Sequence, residues 1–159
     1  MRGEGLAKVV NMKVFSILAP TDLISGESLE MGETLNSPPH KTSPVVGRHR
    51  LTLQEDGNIV HESDDGWADP HWSAGTSCSG KCKLTMQEDN NLVLYDENGS
   101  ALWSSGTHNV GQSGGFARLH NPDDVEVAGR FVIYDGAGDE IWRAPNAHEG
   151  QWAPAGGGR

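Results

Sequence analysis

Three features of the sequence predict an all-β domain: its glycine content, an internal repeat, and an alternation of polar and apolar residues. Glycine accounts for 21 of the 159 residues, about twice its average share of ~7%, which favours turns and short strands over long helices. Only residues 6–18 show a spacing that a helix could use, and they are equally consistent with an apolar strand.

The chain contains three related units. Residues 51–60 read LTLQEDGNIV and residues 84–93 read LTMQEDNNLV, while WSAGT at 72–76 matches WSSGT at 103–107. A third and weaker copy, FVIYDGAGDEIWRAP, matches LVLYDENGSALWSSG of the second unit. Three such units within about 100 residues indicate an architecture with approximate threefold symmetry.

The repeats predict one domain over residues 21–145. Residues 21–38 have their own strand and turn signals, and the prolines between residues 38 and 44 indicate an irregular loop. The predicted limits of the three units are about 21–76, 77–107 and 108–145. An N-terminal extension (1–20) precedes this domain, and an Ala/Gly/Pro-rich tail (146–159), expected to be flexible, follows it.

The N-terminal extension has basic residues and a short apolar stretch, but it lacks the continuous apolar core of a signal peptide. Lys8, Asn11 and Lys13 interrupt that core. We therefore expect a cytoplasmic or non-classically exported protein rather than a secreted one.

The charge of the chain argues against two classes of partner. Lys plus Arg total 12 against 22 Asp plus Glu, for a formal net charge of −10. Nucleic acids and anionic membranes require a basic surface, so neither is an expected partner. No apolar run reaches the ~18 residues of a transmembrane helix.

In the second unit, alternate positions carry side chains that a strand would place on one face. They are Gln87, Asp89, Asn91, Val93 and Tyr95. The other face is apolar, with Leu84, Met86, Leu92 and Leu94. The first face combines hydrogen-bond donors, acceptors and an apolar contact, which complement the hydroxyls and C–H patches of a sugar. The sequence therefore predicts a carbohydrate site here, followed by a hairpin turn at Asn98-Gly99.

The pattern Q-x-D-x-N-x-V-x-Y resembles the signature of the bulb-type, monocot mannose-binding lectin family. The resemblance covers roughly residues 21–145 and includes the segment 22–35. It implies a β-prism II fold, with three four-stranded antiparallel sheets around a pseudo-threefold axis and tryptophans at the centre. By this resemblance the central tryptophans are Trp72, Trp103 and Trp142.

The resemblance also implies a role for each residue of the pattern. Asp89 and Asn91 would bind the 2-hydroxyl of mannose, Gln87 the 3-hydroxyl and Tyr95 the 4-hydroxyl. Val93 would contact the carbon face of the sugar.

The other two units depart from this pattern. The first keeps four of the five positions and is expected to form a weaker second site, at Gln54, Asp56, Asn58 and Val60. Glu62 replaces the tyrosine there. The third unit keeps Val132 and Tyr134 but has Glu126, Ala128 and Arg130 at the Gln, Asp and Asn positions, so no sugar site is expected in it.

The two cysteines also differ from the family pattern. In the family, a cysteine inside the first motif pairs with one just before the second motif. Cys82 matches the second of these, but Gly57 replaces the first. The alternatives are a local bridge from Cys78 to Cys82 or no bridge. Two cysteines and scattered histidines do not predict a metal site, and no cofactor is expected.

The sequence is compatible with two functions. The first is a lectin whose partners are mannose or mannose-containing glycans, with several sites in a homo-oligomer or on one glycan supplying avidity. The alternative is a β-prism scaffold for protein–protein interaction with vestigial sugar binding.

An enzyme is not expected, because no catalytic motif occurs. His61 and His71 are interpreted as ordinary surface or packing residues.

Overall fold

The computed structural model describes residues 20–38, 48–64, 69–120 and 130–145, and the regular structure in these ranges is β-strand. Three four-stranded antiparallel sheets confirm the predicted all-β architecture. In chain order the strands are β1 (Asp22–Ile24), β2 (Ser28–Glu30), β3 (Thr34–Asn36), β4 (His49–Leu53), β5 (Ile59–Ser63), β6 (Trp72–Ser73), β7 (Cys82–Met86), β8 (Leu92–Asp96), β9 (Ala101–Ser104), β10 (Phe116–Leu119), β11 (Phe131–Tyr134) and β12 (Glu140–Arg143). The predictions for 1–19, 39–47 and 146–159 lie outside the described residues.

The segment 22–36 contributes one outer strand to each sheet. The strand orders are β1-β10-β11-β12, β2-β7-β8-β9 and β3-β4-β5-β6. Gly26 and Gly32 lie in the two connections, with φ angles of 91° and 90°, a left-handed conformation that glycine adopts at little steric cost. The sheets therefore do not coincide with the units in sequence order, because residues 21–76 supply strands to all three sheets.

The core lies between the inner faces of the sheets. Each outer strand contributes one buried leucine, at Leu23, Leu29 and Leu35. The four apolar positions predicted to share the inner face of the second unit are all fully buried, as expected. The hairpin predicted at Asn98-Gly99 is also present: the N–H of Gly99 donates to the carbonyl of Asp96 (3.0 Å) and connects β8 to β9.

Three tryptophans meet where the sheets converge. The ring centroids of Trp72, Trp103 and Trp142 lie 5.8, 5.9 and 6.1 Å apart in edge-to-face arrangements, which aromatic rings favour. Phe131 packs against two of them, at 6.2 Å from Trp72 and 6.0 Å from Trp142. The rings are half-buried and pack against the core cluster, so the structure confirms their central position.

Three buried histidines pack together at the sheet of β3–β6: His49 in β4, His61 in β5, and His71 just before β6. The rings of His49, His61 and His71 lie 4.7–5.0 Å apart. His49 Nδ1 and His61 Nε2 share a 2.8 Å hydrogen bond, and Ser63 Oγ lies 2.7 Å from His71 Nε2. His61 and His71 are therefore packing residues, one of the two roles expected from the sequence.

Among the described residues, no group of three or more His, Cys, Asp or Glu side chains could hold a metal ion. The same residues include no helix with the length and apolar character needed to cross a membrane.

Candidate functional site

The predicted strand from Gln87 to Tyr95 is wrong in its first half. Strand β7 ends at Met86 and β8 begins at Leu92, so residues 87–91 form the turn between them, here called the central turn. The N–H of Gln87 donates to the carbonyl of Asn91 (3.0 Å), and Asn90 adopts a φ of 75°. A left-handed residue reverses the chain and cannot belong to a regular strand. The run Asp89-Asn90-Asn91 is typical of a turn, but the alternation of polar residues around it also fits a strand.

The turn nevertheless brings the predicted side chains together. Gln87 Nε2 donates a hydrogen bond to Tyr95 Oη, which joins the start of the turn to β8. Gln87, Asp89 and Tyr95 are each partly exposed, whereas Val93 is only 2% exposed. A sugar could therefore reach Val93 over a small surface only.

Asp89 and Asn91 each use one side-chain oxygen to hold the turn. Asp89 Oδ1 accepts from the N–H of Asn91 (3.0 Å), and Asn91 Oδ1 accepts from the N–H of Thr107 (3.1 Å). Asp89 Oδ2 and Asn91 Nδ2 have no partner within the part of the chain that the structure describes. The site thus retains one charged acceptor and one carboxamide donor beside the Gln87–Tyr95 pair.

Thr107 is a structural residue of the site that the sequence analysis did not identify. Besides its N–H bond to Asn91, its Oγ1 donates to the carbonyl of Asn90 (2.6 Å). The sequence does carry a signal for this threonine, because WSAGT and WSSGT each follow a Q-x-D-x-N motif and both end in threonine. We interpret the two recurring segments as one structural unit, in which the threonine holds the turn.

The first unit has the same turn geometry at residues 54–58, here called the first turn. Asn58 N–H donates to Asp56 Oδ1 (2.9 Å), and Thr76 N–H donates to Asn58 Oδ1 (3.0 Å). Glu62 replaces the tyrosine at the rim, 3.7 Å from Arg50 Nη2. The first turn therefore keeps the Asp and Asn groups but presents a carboxylate where the central turn has a phenol.

In the third unit, protein side chains surround the remaining tyrosine. Tyr134 stacks on Phe116 at 5.1 Å between ring centroids, and its Oη lies 2.8 Å from His120 Nε2. Arg118 lies over Phe116 at 4.9 Å and makes a bidentate ion pair with Asp22 (2.7 and 2.8 Å). The hydrogen bonding that the Arg118 guanidinium donates to the Asp22 carboxylate raises the pKa of Arg118. Arg130 is described, whereas Glu126 and Ala128 lie outside the described residues.

Solved structures of several lectins are similar to this chain. A monomeric monocot mannose-binding lectin from Gastrodia elata has 28% identity and a TM-score of 0.59, covering 78% of this chain and 96% of its own. The mannose-specific agglutinin from snowdrop (Galanthus nivalis) bulbs, complexed with methyl-α-D-mannoside, has 29% identity, a TM-score of 0.54, and covers 77% and 93%. A lectin from Allium sativum has 27% identity, a TM-score of 0.55, and covers 77% and 97%. No family model and no curated protein sequence matches the chain.

The chain has the β-prism II fold of the bulb-type mannose-binding lectins. Its strand count, sheet composition and central tryptophans are those that the resemblance implies.

Within this bulb-type lectin fold, the structure decides between the two cysteine alternatives. Cys78 and Cys82 form a disulfide. A Cβ placed on Gly57 would lie 2.4 Å from the backbone nitrogen of Cys78 and 2.7 Å from its Sγ. Cys78 thus fills the space that a side chain at 57 would occupy. Its N–H donates to the carbonyl of Asp56 (3.1 Å), so this hydrogen bond and the disulfide together link the first turn to β7, which contains Cys82.

The central turn is held against neighbouring residues by an asparagine side chain. Asn90 stands at the position of Gly57 and is fully buried. Its Nδ2 donates to the carbonyls of Val110 and Gln112 (2.7 Å each), and its Oδ1 accepts from the N–H of Gly115 (2.8 Å). The Asn90 carboxamide attaches the central turn to residues 110–115. The backbone hydrogen bond from Cys78 to Asp56 attaches the first turn to the disulfide-bonded segment.

Proposed function

We propose that this chain is a mannose-binding lectin whose main site is the central turn together with Tyr95. The observation that carries the proposal is the pair of polar atoms that the turn leaves unused, Asp89 Oδ2 and Asn91 Nδ2. One accepts and the other donates a hydrogen bond, so together they match a single sugar hydroxyl, which does both. Among the similar structures, the mannose-binding lectin from Gastrodia elata and the snowdrop agglutinin complexed with methyl-α-D-mannoside support the choice of sugar.

Gln87 and Tyr95 extend the site along the sheet. Their mutual hydrogen bond uses one amide proton and leaves the phenol proton and the amide oxygen for ligand hydroxyls. We propose that these groups bind the neighbouring hydroxyls of the same ring, in the order that the family resemblance implies. The sugar is bound and not chemically converted, as in a lectin.

The first turn would provide a second, weaker site through Gln54, Asp56, Asn58 and Val60. Its Asp and Asn geometry matches that of the central turn, but Glu62 supplies neither a phenol proton nor an apolar ring edge. A shallow monosaccharide site gives a Kd of about 1 mM, or roughly −4 kcal/mol. High avidity would therefore need several sites, in a homo-oligomer or against one branched glycan.

The substitution Asp89→Asn tests the main site. Asparagine keeps an Oδ1 that can accept from the N–H of Asn91, so the turn is retained, but it replaces the acceptor Oδ2 with an NH₂ group. We expect mannoside affinity to fall at least about tenfold with little change in Tm, because a charged hydrogen bond is worth roughly 1.5–3 kcal/mol. Titration with methyl α-mannoside followed by NMR measures this loss.

Asp56→Asn is the matched control, since it makes the same change at the first turn. We expect it to leave the stronger binding phase intact. Unchanged affinity in Asp89→Asn together with a loss in Asp56→Asn would mean that the main site has been assigned to the wrong turn.

One observation favours the alternative function, a protein-binding scaffold with vestigial sugar binding. In the third unit the tyrosine is engaged by Phe116 and His120, so that sheet presents protein side chains instead of a sugar site. A glycan array would discriminate between the two functions. Binding to mannose-terminated glycans that is lost in Asp89→Asn supports the lectin, whereas no binding to any glycan supports the scaffold.

A further inference from the structure

The hydroxyl of Ser105 lies at the centre of the hydrogen bonds that hold the central turn. Ser105 Oγ accepts from the N–H of Leu92 (3.0 Å). It also lies 2.7 Å from Thr107 Oγ1 and 3.2 Å from Asn91 Oδ1. The residue follows β9 directly, so one side chain connects the strand, the turn and the threonine that holds the turn.

The direction of these hydrogen bonds follows from the number of protons. Thr107 has one hydroxyl proton, and that proton is donated to the carbonyl of Asn90 (2.6 Å), which can only accept. The bond between the two hydroxyls must therefore be donated by Ser105. Its single proton is shared between Thr107 Oγ1 (2.7 Å) and Asn91 Oδ1 (3.2 Å), so Ser105 donates to the carboxamide oxygen of Asn91 through the longer branch of a bifurcated hydrogen bond.

Asn91 Oδ1 consequently faces two donors, the N–H of Thr107 (3.1 Å) and the hydroxyl of Ser105 (3.2 Å). Rotating the carboxamide by half a turn would point its NH₂ group at the N–H of Thr107, which can only donate, so that hydrogen bond would be lost, and Ser105 could no longer donate to Asn91. The surrounding atoms therefore select the orientation that directs Nδ2 away from Ser105 and Thr107.

The first turn lacks this second donor. Ala74 occupies the position of Ser105, and the backbone register is the same, because Ala74 N–H donates to Ile59 O and Ser105 N–H donates to Leu92 O, both at 2.9 Å. Asn58 Oδ1 faces the N–H of Thr76 (3.0 Å), with no hydroxyl at position 74 to assist it. The two turns therefore differ at this point by one oxygen atom.

From this difference we infer that Ser105 is a positioning residue for sugar binding, which fixes the carboxamide of Asn91 so that its NH₂ group faces the ligand. The inference rests on the proposed function, since it assigns a cause to the affinity of the same site. It also adds a reason, independent of Glu62, why the first turn binds more weakly than the central turn.

The first test is Ser105→Ala, with Ser105→Thr as the conservative variant that keeps the hydroxyl. We expect Ser105→Ala to weaken methyl α-mannoside binding about 3- to 10-fold, the range expected for one neutral hydrogen bond. Ser105→Thr should restore most of the affinity. The {¹H}-¹⁵N NOE of the Asn91 side-chain amide, measured without sugar, should fall in Ser105→Ala and recover in Ser105→Thr.

The reciprocal variant is Ala74→Ser, which adds the missing hydroxyl to the first turn. We expect the side-chain NOE of Asn58 to rise toward the value of Asn91 in the wild-type protein. This measurement needs no ligand, and the small substitution at a partly exposed position leaves the folded protein available for study.

The outcomes separate this inference from the proposed function. Wild-type binding of methyl α-mannoside with unchanged affinity in Ser105→Ala would overturn the role of Ser105 and leave the lectin function standing. An unchanged Asn58 amide in Ala74→Ser would also overturn it. Failure of the wild-type protein to bind mannoside would overturn both, and the wild-type titration alone would reveal it.

Discussion

Gly57 and Gly99 form a matched pair that tests the packing of the first turn against Cys78. Both have a left-handed backbone, with φ angles of 88° and 84°. A Cβ at Gly99 would meet no atom within 4 Å, whereas one at Gly57 would lie 2.4 Å from the Cys78 nitrogen. Ordinary van der Waals contact for a Cβ begins at 3.4 Å, so the Cys78 backbone would have to move by about 1 Å, against its hydrogen bond to Asp56.

The two alanine substitutions should therefore differ in cost. Each places a non-glycine residue in the left-handed region, at about 1–2 kcal/mol, and each removes the same glycine flexibility from the unfolded chain. Gly57→Ala adds an overpacking cost of about 1–3 kcal/mol. We expect the free energy of unfolding to fall by about 1 kcal/mol in Gly99→Ala and by about 2–4 kcal/mol in Gly57→Ala.

Urea denaturation of both variants measures these values, and the unfolding slope should stay the same in each. A thiol titration should confirm that the Cys78–Cys82 disulfide remains intact. If the two variants are destabilised equally, within about 0.5 kcal/mol, then Cys78 does not fill the space that a side chain at position 57 would occupy.

Three further predictions concern the core, the central turn and the response to acid. Trp103→Ala should cost about 3 kcal/mol in thermal or chemical unfolding, near the lower end for large aromatic residues because the ring is half-buried; a cost below about 1 kcal/mol would show that the sheets do not pack around it. Asn90→Gly keeps the left-handed backbone but removes three buried hydrogen bonds, so we expect a loss of at least about 2 kcal/mol. Asn109→Gly, at the exposed left-handed position of φ 59°, is its control and should change stability little. Backbone N–H groups, first that of Asp139 and then that of Gln112, hold the pKa of Asp135 below its usual range. Asp135 therefore contributes stability above its unfolded pKa of about 3.9, and that stability is lost as the pH falls through the lower folded pKa. The Tm of the wild-type protein should accordingly fall more between pH 5 and pH 2 than that of Asp135→Asn, and parallel Tm curves would contradict this assignment.

Much of the fold could be predicted from the sequence because its signals are local or repeated. The alternation that buries Leu84 and Leu94 depends only on the period of a strand. The Asn98-Gly99 hairpin depends on a backbone conformation that few residue types adopt. The tryptophans were placed at the centre by the family resemblance, and their ring contacts confirm that placement.

The site was predicted less completely, because a turn and a strand can carry the same alternating polar residues. Gln87, Asp89 and Asn91 were assigned to a strand, whereas the structure places them in the turn between β7 and β8. Nothing local showed that Asn91 would accept a hydrogen bond from Thr107, sixteen residues later in the chain. The recurrence of WSxGT was visible, yet its link to the motif exists only after β8 and β9 pair.

The sequence by itself determined the strand pattern, the threefold repetition and the residue types at each turn, because these depend on neighbouring residues and on recurrence. Only the tertiary structure decided how the segment 22–36 is shared among the three sheets and which cysteines are joined. It also decided which atoms of Asp89 and Asn91 remain available to a ligand. Those outcomes depend on contacts between residues far apart in the chain, and such contacts exist only when the three sheets have packed together.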